Sequence, residues 1–184
     1  MLEMKTKQLI LLLFCAGFSF IGANAQTYYY NATKTFNENG YTYQCDVKYG
    51  GVVLYNQTNQ FTYQKPKYKN GSLVEPDHWE YIDDVQQDTW TLPLARSIVS
   101  NAFSDLEKSR FKGEPLGITM IISPETGKVI EVNFDFMSDT GYATVSVSTF
   151  RQIELNLKNQ IWFTPTDEGK KVNYLMRAWL QAVK

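Results

Sequence analysis

The stretch GITMIISPETGKVIEVNFDF, Gly117–Phe136, decides the fold. Gly117–Ile122 is an apolar run, and after Pro124-Glu125-Thr126-Gly127 the chain alternates Ile130, Val132, Phe134 and Phe136 against Glu131, Asn133 and Asp135. A period of two is that of a pleated strand with one buried face, and Pro followed by Gly supplies turn chemistry. The stretch therefore predicts an antiparallel hairpin.

Working outward, Phe150, Ile153, Leu157 and Ile161 recur at helical spacing after a capping residue, Ser148, and Pro165 ends that helix. From Lys171 to Val183 the period returns to two, with Val172, Tyr174, Met176, Ala178 and Leu180 against Asn173, Leu175, Arg177, Trp179 and Gln181. The order strand, hairpin, helix, strand leaves this final strand near a sheet edge. An edge strand carries unpaired N–H and C=O groups and can accept another chain. Upstream, Ala95, Ile98, Val99, Ala102, Phe103 and Leu106 form one helical stripe that starts near Thr91 or Pro93, and Gly113 with Pro115 bars continuation. Trp162 and Trp179 read as core of this half.

Residues 26–90 differ in composition, being rich in Tyr, Asn, Gln and Thr. Tyr41–Tyr49 reads as a strand, Gly50-Gly51 as a turn into Val52–Tyr55, and Phe61–Gln64 as a further strand beyond an Asn/Thr loop, giving two hairpins. Residues 65–90 read as a long irregular connection. Tyr28-Tyr29-Tyr30 reads as cover for the sheet of this Leu- and Ile-poor half.

At the N-terminus, Lys5 and Lys7 precede the apolar run Leu9–Phe14, and the chain then reaches Ala23-Asn24-Ala25. This is the pattern of a secretory signal peptide, residues 1–25, and the run is too short and interrupted for a membrane span, so none is expected after cleavage. The expected location is the periplasm, the cell surface or the medium. Cleavage removes Glu3, Lys5 and Lys7 and takes the formal charge from −1 to −2, which argues against nucleic acid as a partner. It also leaves Cys45 as the one cysteine, on a strand face with Tyr43 and Val47 and so expected as a buried thiol.

No catalytic constellation emerges. The one histidine, His78, is far in sequence from Cys45, and the acidic group Asp77, Glu80, Asp83, Asp84 and Asp88 lacks calcium-loop spacing. No catalytic residue, metal ligand or cofactor is assigned, and a protein that is not an enzyme is expected.

The C-terminal half resembles the C-terminal domain of TonB. The likeness rests on Ser123-Pro124-Glu125-Thr126-Gly127-Lys128-Val129, on Trp162-Phe163-Thr164-Pro165 leaving the second helix, on Glu168-Gly169-Lys170-Lys171-Val172 entering the last strand, and on Leu92-Pro93-Leu94-Ala95-Arg96 at the first helix, where the Pro-to-Ala spacing is shorter. These motifs cover about half the chain, in family order. The resemblance implies an α+β domain, residues 91–184, with two helices on one face of a small antiparallel sheet, binding an extended peptide by strand addition. There is no Pro-rich spacer and the leader ends in a cleavage site, so energy transduction is not carried over.

The expected protein is thus α+β, with a β-rich region 26–90 before the TonB-like region. It is expected to bind a protein or peptide along the last strand, with Tyr174, Arg177 and Trp179 as contacts, and a homodimer through that edge is the simplest way to cover it. The alternative is a glycan-binding or glycan-processing protein of the cell envelope that uses Trp79, Tyr81, Trp90 and the acidic loop.

Overall fold

A computed structural model describes residues 27–74 and 84–184. Strands β1 (Lys34–Glu38), β2 (Tyr41–Lys48) and β3 (Gly51–Asn56) are joined by the tight turns Asn39-Gly40 and Tyr49-Gly50. Both central residues of each turn have positive φ, from 46° to 83°, the geometry that matches the twist of a two-residue hairpin. The chain continues through helices α1 (Thr91–Asn101) and α2 (Asp105–Phe111), strands β4 (Pro115–Ile122) and β5 (Val129–Met137), helix α3 (Val147–Gln160) and strand β6 (Leu175–Ala182). All six strands form one antiparallel sheet in the order β1-β2-β3-β5-β4-β6, so the fold is α+β.

Three expectations are corrected in detail. Strand β1 takes the place of the expected Phe61–Gln64 strand, because Asn side chains occupy the backbone there: Asn56 Oδ1 accepts from Thr58 N at 3.1 Å and Asn59 Oδ1 from Phe61 N at 2.8 Å. Such Asx contacts compete with a strand ladder. The single long first helix is two, because Ser104 and Glu107 form a reciprocal capping box that starts α2, leaving Leu106 72% exposed instead of in the stripe. In β5 the register slips between Ile121 and Ile122, so Ile130 is an extra residue and Val129, not Ile130, joins Val132, Phe134 and Phe136 in the core.

The main core lies between the helices and the sheet face that carries Cys45, Leu54, Phe134 and Ile118. Phe150 of α3 is its hub. The ring stacks on Phe136 at 5.4 Å and meets Phe134 at 5.1 Å and Tyr30 at 5.9 Å. Offset and edge-on aromatic pairs of this kind add stability beyond their buried area. The expected α3 stripe, Phe150, Ile153, Leu157 and Ile161, is buried throughout, as is Cys45, whose thiol burial pushes up to about 11. Tyr30 is buried, whereas Tyr28 and Tyr29 are exposed.

The same α3 face buries a charge. Glu154 is fully enclosed; it accepts from the Tyr43 hydroxyl and lies 2.8 Å from Arg151 Nη1 and 2.7 Å from Lys158 Nζ. Burial pushes the Glu154 carboxyl up and the Lys158 ammonium pulls it back. Arg151 also covers the Tyr41 ring at 3.4 Å. Among the described residues no helix is long and apolar enough to cross a membrane.

Two stability measurements check this account. At Gly127, with φ of 70°, an added Cβ would meet Phe163 O at 1.8 Å, whereas at Gly40, with φ of 83°, it would meet nothing within 4 Å. Urea denaturation should show Gly40→Ala costing about 1 kcal/mol, from the left-handed backbone alone, and Gly127→Ala clearly more. Glu154→Ala strands two cations and a phenol and should cost about 3 kcal/mol with an unchanged denaturant slope.

Candidate functional site

Strand β6 ends the sheet. It pairs with β4 from Leu175↔Ile122 to Ala182↔Pro115, and among the described residues no strand pairs with its other side. Alternation divides its side chains: Leu175, Arg177, Trp179 and Gln181 face the helices, while Met176, Ala178 and Leu180 face the other way, Leu180 being 72% exposed.

The helix-facing side chains are held in place. Gln181 Nε2 donates to Arg96 O at 2.9 Å and Ser100 Oγ at 2.8 Å, tying the strand to α1, and its Oε1 accepts from Trp179 Nε1 at 3.0 Å. Arg177 makes a two-pronged ion pair with Asp84, Nη2 to Oδ1 at 2.5 Å and Nη1 to Oδ2 at 3.1 Å. Asp84 belongs to an irregular strap fixed to the chain after α3 by Gln86 N to Thr164 O and Thr166 N to Asp84 O, at 2.8 and 3.0 Å. Where the strap meets α1, Asp88 accepts from the backbone N–H groups of Trp90 and Thr91 at 2.9 and 2.8 Å. Burial would raise the Asp88 carboxyl, but these bonds hold it below the usual range. Between strap and strand lies a slot of about 220 Å³, lined by Val85, Leu92, Phe163, Arg177 and Trp179.

Of the contacts expected from the sequence, Arg177 and Trp179 therefore stand together beside the edge. Tyr174 does not join them. It precedes β6, is 2% exposed, donates to Gln64 O at 2.6 Å and packs on Phe61. It serves the far face of the sheet, because in the period-two alternation it belongs with Met176, Ala178 and Leu180 and is opposite to Arg177 and Trp179. For the glycan alternative, Trp79 and Tyr81 lie outside the described residues, as do Asp77, His78, Glu80 and Asp83. Trp90 is half-buried, its ring 4.5 Å from that of Trp162. Trp162, read as core, is 56% exposed, because it sits just past α3 in an isolated bridge with Lys128 and turns outward onto Trp90. Among the described residues no group of three His, Cys, Asp or Glu side chains is arranged to hold a metal ion.

Fold and edge together define a single-sheet α+β protein with helices on one face and a long terminal edge strand. Residues 26–179 match the family model described as a domain of unknown function, DUF5043, and the chain belongs to that family. It is similar to a crystal structure of a DUF5043 family protein from Bacteroides uniformis, at 41% identity with a TM-score of 0.80, over 86% of this chain and 89% of that one. No curated protein matches the chain.

The Asp84–Arg177 pair is half-screened from water, so a double-mutant cycle on stability with Asp84→Ala and Arg177→Ala should give a coupling of about 1 kcal/mol at low salt. The coupling should shrink at roughly 1 M salt, where screening is near 3 Å.

Proposed function

We propose that the protein is a non-enzymatic binding module that takes up an extended polypeptide along the outer edge of β6. The observation that carries this reading is an eight-residue terminal strand whose outer side pairs with no described strand. The opposite edge is a poorer acceptor: β1 has five residues and is bounded by Lys34 and Glu38, the short, charged form in which edges are blunted. Main-chain pairing at β6 supplies affinity without regard to sequence, and alternate side chains of the incoming strand meet the slot beside Trp179 or the exposed Leu180. The TonB-like motifs fit the same use of the last strand.

Export is part of the proposal. It rests on Lys5, Lys7, the apolar run Leu9–Phe14 and Ala23-Asn24-Ala25, and it is supported by a family match that starts at Gln26, directly after the expected cleavage position. The working location is the periplasm or the outer cell surface.

Amide hydrogen exchange by NMR tests the edge. In the free monomer the β6 amides that point away from β4 should exchange fast, alternating with slow ones, and should slow when a peptide selected from an extended-peptide library is added. Slow exchange at every β6 amide in the dilute monomer would sink the reading. Slowing that appears only as concentration rises would make a second copy of the chain the occupant. The glycan alternative, expected at Trp79, Tyr81, Trp90 and the acidic loop, keeps Trp90 among the described residues, its ring against the exposed indole of Trp162. Glycan-array binding lost in Trp162→Ala would favour it over strand addition.

A further inference from the structure

The β6 edge is not open along its whole length. Pro115 stands opposite Ala182 and has no N–H to give, so this pair is not a doubly hydrogen-bonded one. Counted back in twos, the main-chain groups of Leu180, Ala178 and Met176 share the side of Ala182 and point outward, while those of Gln181, Trp179, Arg177 and Leu175 face β4. At the entry end of this outer side the Met176 carbonyl is already taken, because Arg177 Nη1 donates to it at 2.8 Å.

The guanidinium that caps this carbonyl is itself clamped. Asp84 holds it with both carboxylate oxygens, Nη2 to Oδ1 at 2.5 Å and Nη1 to Oδ2 at 3.1 Å. A two-pronged pair of this kind fixes the plane of the guanidinium as well as its position. The strap behind Asp84 has little room to withdraw. Thr166 N donates to Asp84 O at 3.0 Å, and a Cβ on Gly169 would come within 2.0 Å of the same oxygen.

A strand that pairs with Met176 therefore has to break the Arg177 bond. A strand of another polypeptide meets this obstacle once, and avoids it by pairing with Ala178 to Ala182. A second copy of the chain meets it twice, since a two-fold axis puts the same residue on both sides. The longest ladder between two β6 edges has its axis at Trp179 and pairs Met176 with Ala182 and Ala178 with Leu180, each in both directions. An axis at Ala178 again uses Met176, opposite Leu180. Only an axis at Leu180 spares both capped carbonyls, and it gives up the entry half of each strand. We propose that Arg177, clamped by Asp84, guards the β6 edge against a second copy of the chain and leaves the Ala178–Ala182 half to a strand of another polypeptide. Charged side chains blunt sheet edges elsewhere in this way. The proposal rests on the reading of β6 as an open edge and deepens it by naming the occupant that is turned away.

Sedimentation velocity over a concentration series, with amide exchange by NMR on the same samples, tests the guard without any ligand. Arg177→Ala should dimerise with a Kd about tenfold or more below that of the wild type, and its Met176, Ala178 and Leu180 amides should slow as the dimer forms. Asp84→Ala, which lets the guanidinium swing away, should act in the same direction by less. It carries the test if Arg177→Ala does not fold, since it leaves every β6 side chain in place. Lys34→Ala, on the opposite edge, should change nothing. The guard is overturned by folded variants as monomeric as the wild type, by a wild type that dimerises through β6 as tightly as Arg177→Ala, or by variant dimers whose β6 amides stay fast. Each of those results leaves strand addition standing while the outward β6 amides of the dilute wild type exchange fast, whereas slow amides there overturn both readings.

Discussion

The pairing of β3 with β5 is the constraint on which the rest depends. Gly51–Tyr55 lies against Asn133–Met137, and this one ladder turns an N-terminal meander and a C-terminal hairpin into a single sheet. It closes a long loop, so its entropic cost has to be offset by what the pairing buries. Val52 and Leu54 meet Phe136 and Phe134 in register, and Phe150 of α3 covers both phenylalanines. The helix, the central strands and the N-terminal Tyr30 therefore share one aromatic cluster, and neither half owns a complete core without it.

Placing β3 and β5 at the centre sends β1 and β6 to the two edges, and the chain treats them differently. At β1 the strand is short and Tyr30 and α3 lie close by. At β6 the stabilising contacts all approach from the helix side or from the strand's entry: Gln181 to α1, Arg177 to the strap, and residues 171–173 to 67–69. These fix the strand's position while no described strand pairs with its outer side, and one of its carbonyls, Met176 O, accepts from Arg177 Nη1 at 2.8 Å. A strand held in this way is preorganised for pairing, which lowers the ordering cost that any partner must meet.

The parts of this fold that were legible in the sequence are those governed by local periodicity. The Gly117–Phe136 hairpin, α3 with its stripe from Phe150 to Ile161, and the alternating last strand each follow from spacing alone. What escaped was set by single polar side chains. Ser104 and Glu107 split one apolar stripe into two helices, and Asn56 and Asn59 hold their loop out of a strand. The Asn39-Gly40 dipeptide is itself a hairpin signal for β1, absent from the expectations above. Tyr174 was placed with Arg177 and Trp179 because all three neighbour the edge in sequence, yet it fills the far face. Local spacing gives no sign of the buried role of Glu154, since its partner Tyr43 lies over a hundred residues away in the chain.

The row Asp46, Val53, Asp135, Gly117, Leu180, which crosses five strands on the face away from the helices, shows why the make-up of a sheet face is hard to see in one dimension. Each of its members looks ordinary within its own strand: Asp46 and Asp135 are the polar beats of an alternation, and Gly117 is a strand opening. Only the register of four pairings aligns them, and register depends on events elsewhere, such as the tight turn at Tyr49-Gly50. A one-residue slip between β3 and β5 would carry Asp135 to the helix side and bring Phe134 or Phe136 out. The aromatic core that anchors those phenylalanines under Phe150 therefore also sets where Asp135 stands, so the pattern of the open face is a by-product of packing on the closed one.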